Sequence, residues 1–144
     1  MFRILPSVKE ADYTEGAWTP EFAGTGTAGV FTYSNQSGRF MRYGSFCFFM
    51  GFITITAIIT PPVGNMLITG LPFTAGVGGY GVSWTFISNF NYTAAALQLC
   101  GRITAAANYI TLTESFDNIA AVAVPAANFT NATCSLGFTG FYQI

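Results

Sequence analysis

The chain has no histidine, and only 8% of its 144 residues are charged, against about a quarter in ordinary soluble domains. The missing histidine excludes imidazole acid–base chemistry and histidine metal sites. Five cations are too few for the basic stripe that tracks a phosphate backbone, so a nucleic-acid partner is not expected. Cysteine is scarce too. Cys47, Cys100 and Cys134 lie 53 and 34 residues apart, which gives no close-spaced metal pair, and their apolar or small neighbours suit buried free thiols. No cofactor is expected. A long apolar run is also lacking: the longest stretch, Phe46 to Ile59, is interrupted by Gly51, Thr54 and Thr56 and stopped by Pro61-Pro62. It falls short of the roughly 18–20 residues of a spanning helix, and no membrane partner is expected. The Met1-Phe2-Arg3-Ile4-Leu5-Pro6 start has no apolar signal region. The Asn-x-Ser/Thr sites at Asn35, Asn91, Asn128 and Asn131 are accordingly read as chance products of a Thr- and Asn-rich chain.

Apolar residues are abundant. They make up 51% of the chain, with 15 Phe, 7 Tyr and 2 Trp. Such a composition excludes a disordered chain and suits one domain with a substantial core. Eleven charges make a poor solvated skin, so the apolar excess is predicted to be buried between subunits of a symmetric homo-oligomer. Six of those charges (Arg3, Lys9, Glu10, Asp12, Glu15 and Glu21) fall in the first 21 residues. The chain therefore divides into an extended N-terminal arm, 1–21, and a single body, 22–144. Phe2, Arg3, Ile4 and Leu5, ahead of Pro6, make the arm's tip a candidate contact with a neighbouring protein, either a coat protein or a sister subunit. Folding back on its own subunit is the alternative.

The body reads as β throughout. Tyr43–Thr60 carries Ile53, Ile55, Ala57 and Ile59 on one face and Phe46, Phe48, Met50, Phe52, Thr54 and Thr56 on the other. Both faces are apolar in the first half, which predicts cover on both sides, and Gly51 is a natural place for a bulge or break. Tyr80–Ser88 alternates with Tyr80, Val82, Trp84 and Phe86 on one face. Further strands are expected at Ala94–Ile103, Tyr109–Phe116, Ile119–Val124 and Thr133–Tyr142, with a final apolar edge strand in the tail. The Ala94–Ala96 and Ala105–Ala107 triplets read as packed strand or hairpin, or else one helical turn. Strands recurring every 8–12 residues predict an antiparallel β-sandwich, jelly-roll-like, with little helix.

Motifs for catalysis are weak. Gly24-Thr25-Gly26-Thr27-Ala28-Gly29 matches G-x-G-x-x-G, but a strand pattern, Val30–Tyr33, follows where a phosphate-binding helix should start. The carboxylates available for paired acid–base work are Glu10, Asp12, Glu15, Glu21, Glu114 and Asp117, nearly all in the arm or beside a turn. No base is available to activate a serine or cysteine. No catalytic residue is assigned, and the chain reads as a non-enzyme.

Three segments resemble a module at the C-terminal ends of tailed-bacteriophage tail fibres and related virion proteins. Tyr13-Thr14-Glu15-Gly16-Ala17-Trp18-Thr19-Pro20 is similar to its opening Y-x-E-G-x-W-T-P. Thr32-Tyr33-Ser34-Asn35-Gln36-Ser37-Gly38-Arg39-Phe40, ahead of Gly44, is similar to T-Y-x-x-Q-x-G-x-Y-x-x-x-G. Gly64-Asn65 followed by Ile68-Thr69-Gly70-Leu71-Pro72-Phe73 is similar to G-N-x-x-I-x-G-L-P-F. The match covers residues 13 to 73; the rest resembles the module only in β character. Physically, Trp18 can anchor a chain entry, Gly38 and Gly44 can supply turn conformations, Gln36 can tie strands through its amide, and Leu71-Pro72-Phe73 can cap a core. With Tyr33 these form the structural motif.

The resemblance implies a trimeric, non-enzymatic β-sandwich exposed on a virion. Phe46, Phe48 and Phe52 are the candidate trimer interface. Met1 stands only twelve residues before Tyr13, and if Met1 is the natural start no shaft is expected. That favours a capsid decoration (cement) protein on the head surface, bound to the major capsid protein or another virion protein. The alternative is a tail-fibre tip that recognises a host surface glycan.

Overall fold

The computed structural model describes residues 12–130 and 132–144. Among them are ten strands: β1 (Tyr13–Trp18), β2 (Glu21–Gly24), β3 (Val30–Tyr43), β4 (Phe46–Thr60), β5 (Met66–Thr69), β6 (Tyr80–Ser88), β7 (Gln98–Ile103), β8 (Tyr109–Phe116), β9 (Ile119–Ala123) and β10 (Ser135–Gln143). All pairing is antiparallel, in the order β1-β3-β4-β10-β6-β7-β8-β5-β2, with β9 also on β8. The all-β sandwich expected from strand spacing is therefore the fold.

The β6–β7 seam is short, pairing only from Tyr80↔Ile103 to Val82↔Gly101, as is β5–β8, from Leu67↔Thr111 to Thr69↔Tyr109. Opposite Gly137/Phe138 the register of β6 shifts, leaving Thr85 as an extra residue. Such a bulge increases local twist, and it lies three residues beyond Val82, the last residue of β6 paired to β7. The path doubles over here. At its far end β2 returns to β3, where the Phe22 N–H donates to the Tyr33 hydroxyl at 3.0 Å and the Phe22 and Phe31 rings stand 6.0 Å apart. Phe49, Ile53 and Ile55 of β4 and Leu136, Phe138 and Tyr142 of β10 fill one core with Ile68, Leu99, Ile103, Ile110 and Leu112 of the other layer. The buried Tyr142 hydroxyl donates to the Phe73 carbonyl at 2.9 Å and accepts the Phe73 N–H at 3.1 Å, which settles both its polar roles.

Several expectations change. β4 runs without a break at Gly51, which stays in register with Gly38 and Phe138. Gly51 instead makes room: a Cβ there would lie 2.5 Å from the Phe138 ring and 3.2 Å from Trp18. Gly38 likewise lies within β3, and a Cβ would meet the Trp18 indole at 2.5 Å; its turn role is replaced by a steric one. Gly44 does turn the chain, with φ of +58° between β3 and β4. The bulge at Thr85 carries Phe86 to the opposite face from Trp84, with its ring 5.8 Å from Phe52. The tail strand β10 is central, between β4 and β6. Of the arm expected over 1–21, Tyr13–Trp18 is an edge strand paired to β3, and Glu21 opens β2. The apolar Trp18 draws this segment into the core. Phe2, Arg3, Ile4 and Leu5 lie outside the described residues.

The alanine triplets are turns. The Ala96 N–H donates to the Thr93 carbonyl at 2.9 Å and the Ala107 N–H to the Thr104 carbonyl at 3.2 Å, with Ala95 and Ala106 at φ of +68° and +58°. This left-handed region costs a Cβ-bearing residue about 1–2 kcal/mol. Ala95→Gly and Ala106→Gly are each expected to raise stability by about 1 kcal/mol, less any entropy lost by the more flexible unfolded chain. Thermal unfolding of the two variants against the parent checks this; lower melting temperatures in both would contradict it.

Candidate functional site

Period-two alternation sends Cys47, Phe49, Ile53 and Ile55 of β4 inward and Phe46, Phe48 and Met50 outward. Register aligns the outward rows of neighbouring strands. Tyr43 stands opposite Phe46, Met41 opposite Phe48, and Phe141 opposite Phe48 on the other side. Tyr13 of β1 stands opposite Tyr43, and Phe86 of β6 opposite Gly137. Tyr13, Met41, Tyr43, Phe46, Phe48, Met50, Phe86 and Phe141 are each 42–57% exposed. The result is one aromatic and methionine-rich face over β1, β3, β4, β10 and β6. The Phe48 and Phe141 rings stand 5.9 Å apart. Two adjoining hollows of about 400 and 230 Å³ indent it, around Met50, Arg39 and Thr139.

Of the expected interface residues, the structure brings Phe46 and Phe48 together on this face as exposed side chains and sets a half-buried Phe52 beside Phe86. The cover expected on both faces of β4 exists on one side only within a single chain. Met41, Tyr43, Phe86 and Phe141 were not singled out from sequence. The alternation of Phe141 (out) with Tyr142 (in) was the available signal for β10; Phe86 was hidden by the bulge.

The motif residues lie on the other side of this sheet and hold it together. Trp18 is 7% exposed, lies over Gly38 and Gly51, and stands 6.2 and 6.0 Å from the Phe49 and Phe138 rings. Its indole N–H donates to the Met50 carbonyl at 3.0 Å. The Gln36 amide donates to the Pro20 carbonyl at 3.0 Å, joining the β1–β2 connection to β3. Leu71 is buried, Pro72 follows it, and Phe73 packs edge-on to Phe40 at 5.4 Å beneath the Arg42 guanidinium. Gly24–Gly29 links β2 to the strand β3 and offers no helix N-terminus.

Among the described residues no group of three or more His, Cys, Asp or Glu gathers, and no helix is long and apolar enough to cross a membrane. Glu114 is buried and accepts the Thr93 N–H at 2.9 Å, while Asn128 donates to the Thr93 hydroxyl at 2.7 Å. Its carboxylate is thereby tied to the loop between β6 and β7. Asp117 sits in the β8–β9 turn.

Burial pushes the Cys134 thiol and the Tyr33 hydroxyl up to about 12, and raises Cys47 and Tyr142 as well. All four are neutral when protonated. Their contribution to stability is complete below the ordinary values of 9.0 for Cys and 10.0 for Tyr, and is lost as pH climbs from there toward about 12. Urea midpoints should fall progressively above about pH 9 through these groups. A flat profile from pH 8 to 11.5 would contradict it.

No protein-family model matches the chain, and no curated protein does. Among solved structures, the crystal structure of the Dettilon tailspike protein (gp208) superposes with a TM-score of 0.66 at 16% identity, over 91% of this chain and 24% of the tailspike chain. The chain thus spans about a quarter of that protein's length, and the likeness is one of fold.

Proposed function

We propose that the chain is a non-enzymatic structural protein of a tailed-bacteriophage virion, working as a homotrimer whose subunits meet through the outer face of β3, β4 and β10. The observation that carries this is the superposition of 91% of the chain on part of a phage tailspike. The exposed aromatic face supports the assembly. Contiguous apolar surface of this extent marks an interaction site rather than a free surface, and Phe and Tyr are favoured at interface centres.

The tailspike likeness favours a place in the tail, as part of a spike or fibre, with a host surface glycan as the ligand of its exposed end. Separation of the virion into heads and tails, followed by immunodetection, tests the location. Recovery with tails supports the tail reading. Recovery with heads makes the chain a capsid decoration protein contacting the major capsid protein. Absence from both overturns the virion assignment. Release of reducing ends from host glycan, abolished by Glu114→Gln or Asp117→Asn, would overturn the non-enzymatic reading.

A further inference from the structure

We propose that Glu15 of one subunit and Arg39 of the next form an ion pair inside the interface made by the aromatic face; this rests on the assembly reading above. The five strands of the face, β1, β3, β4, β10 and β6, carry three charged residues: Glu15, Arg39 and Arg42. Arg42 is turned away, with its Nε donating to the Gly44 carbonyl at 2.9 Å and its guanidinium 5.4 Å from the Phe73 ring centre. Arg39 points outward opposite Met50 and Ala17, and is the one charged residue, among the described residues, lining both apolar hollows. It has no ion-pair partner within the chain among the described residues. Glu15 accepts a hydrogen bond from the Tyr13 hydroxyl and has no cationic partner among the described residues. The two residues are diagonal neighbours across β1 and β3 and flank one hollow of about 270 Å³ without an ion pair between them.

The eight exposed apolar side chains leave about half of roughly 200 Å² each open, on the order of 700–800 Å² per subunit. That is close to one partner's share of a standard stable interface. Covering it strips water from Arg39. A guanidinium desolvated against Phe and Met is tolerated only with an anion beside it, and Glu15 is the one acid on these strands. A second copy presents that acid on a matching apolar surface. Each subunit's face thus carries both members of the charge pair, one for each of its two neighbours in the trimer.

The test uses the full chain and two charge-reversal variants, E15R and R39E, each at an exposed position, with circular dichroism to confirm the fold. Sedimentation velocity over a dilution series reads association. Each variant alone places like charges in the contact and should associate at least about thirtyfold more weakly than the parent. An equimolar mixture, co-refolded if a variant does not fold alone, should recover mixed trimers that associate more tightly than either variant alone, with two of the three contacts oppositely charged and one like-charged, seen by native mass spectrometry. An ion pair confined to one subunit would not be restored by mixing, since neither chain carries both signs. Variants that associate like the parent, or a mixture that recovers nothing, overturn the ion pair while the parent oligomer stands. A parent that is monomeric at every concentration removes the assembly reading as well.

Discussion

Trp18→Ala is expected to cost about 3–5 kcal/mol of unfolding free energy, a large part of the 5–15 kcal/mol a domain usually has. The indole is a large side chain of β1 that spans onto β3 and β4. It occupies the space left by Gly38 and Gly51 and fills the angle between Phe49 and Phe138. Alanine would leave a void that two glycines cannot close, and would remove the hydrogen bond to the Met50 carbonyl. Trp18→Phe keeps part of the volume and loses the bond, so it should fall between. Urea unfolding at fixed protein concentration measures both, because association otherwise shifts the midpoint. A loss below about 1 kcal/mol for Trp18→Ala would show that the edge strand β1 is not held by this ring.

The second large effect concerns assembly. Phe48→Glu with Phe141→Glu places two carboxylates at the centre of the outer face, where the parent rings stand 5.9 Å apart. Both side chains are about half exposed in the single chain, so folding should be nearly unaffected. Association should drop by several hundredfold or more, since desolvating an unpaired charge in an interface costs several kcal/mol. Size-exclusion chromatography beside circular dichroism separates the two readouts. An unchanged oligomer would place the interface elsewhere. A collapsed spectrum would mean the face belongs to the fold rather than to assembly.

Much of this was legible in the chain itself. The scarcity of charge said that apolar surface must be covered by something, and the alternation from Phe46 to Ile55 named both faces of β4; beyond it the pairing with β3 skips Thr56 and Ile59, so Ile58 packs on the core and Ile59 is exposed. What the alternation could not say is which face the single chain covers for itself. That depends on Trp18, Phe138 and Tyr142 reaching β4 from distant parts of the sequence. Gly51 was misread because a glycine that yields space to a neighbour looks, in sequence, like one that breaks a strand. The tail reads as an edge strand because it comes last in the chain, whereas β10 is inserted between β4 and β6, with the Phe52 ring against Gly137 and the Phe49 ring against Gly140. The bulge at Thr85 has no local signature, so strict alternation puts Phe86 on the face of Trp84, opposite to where it lies. The motif residues were legible as structural, and each does meet a structural partner, but nothing in their spacing pointed to the exposed row of Met41, Tyr43 and Phe141 behind them.

The most direct measurement is the mass of the intact chain in solution by multi-angle light scattering at micromolar concentration. The aromatic face predicts a single species of three times the 15.4 kDa chain mass. A monodisperse 15.4 kDa monomer would contradict it, because that face would then stand open to water with nothing to cover it.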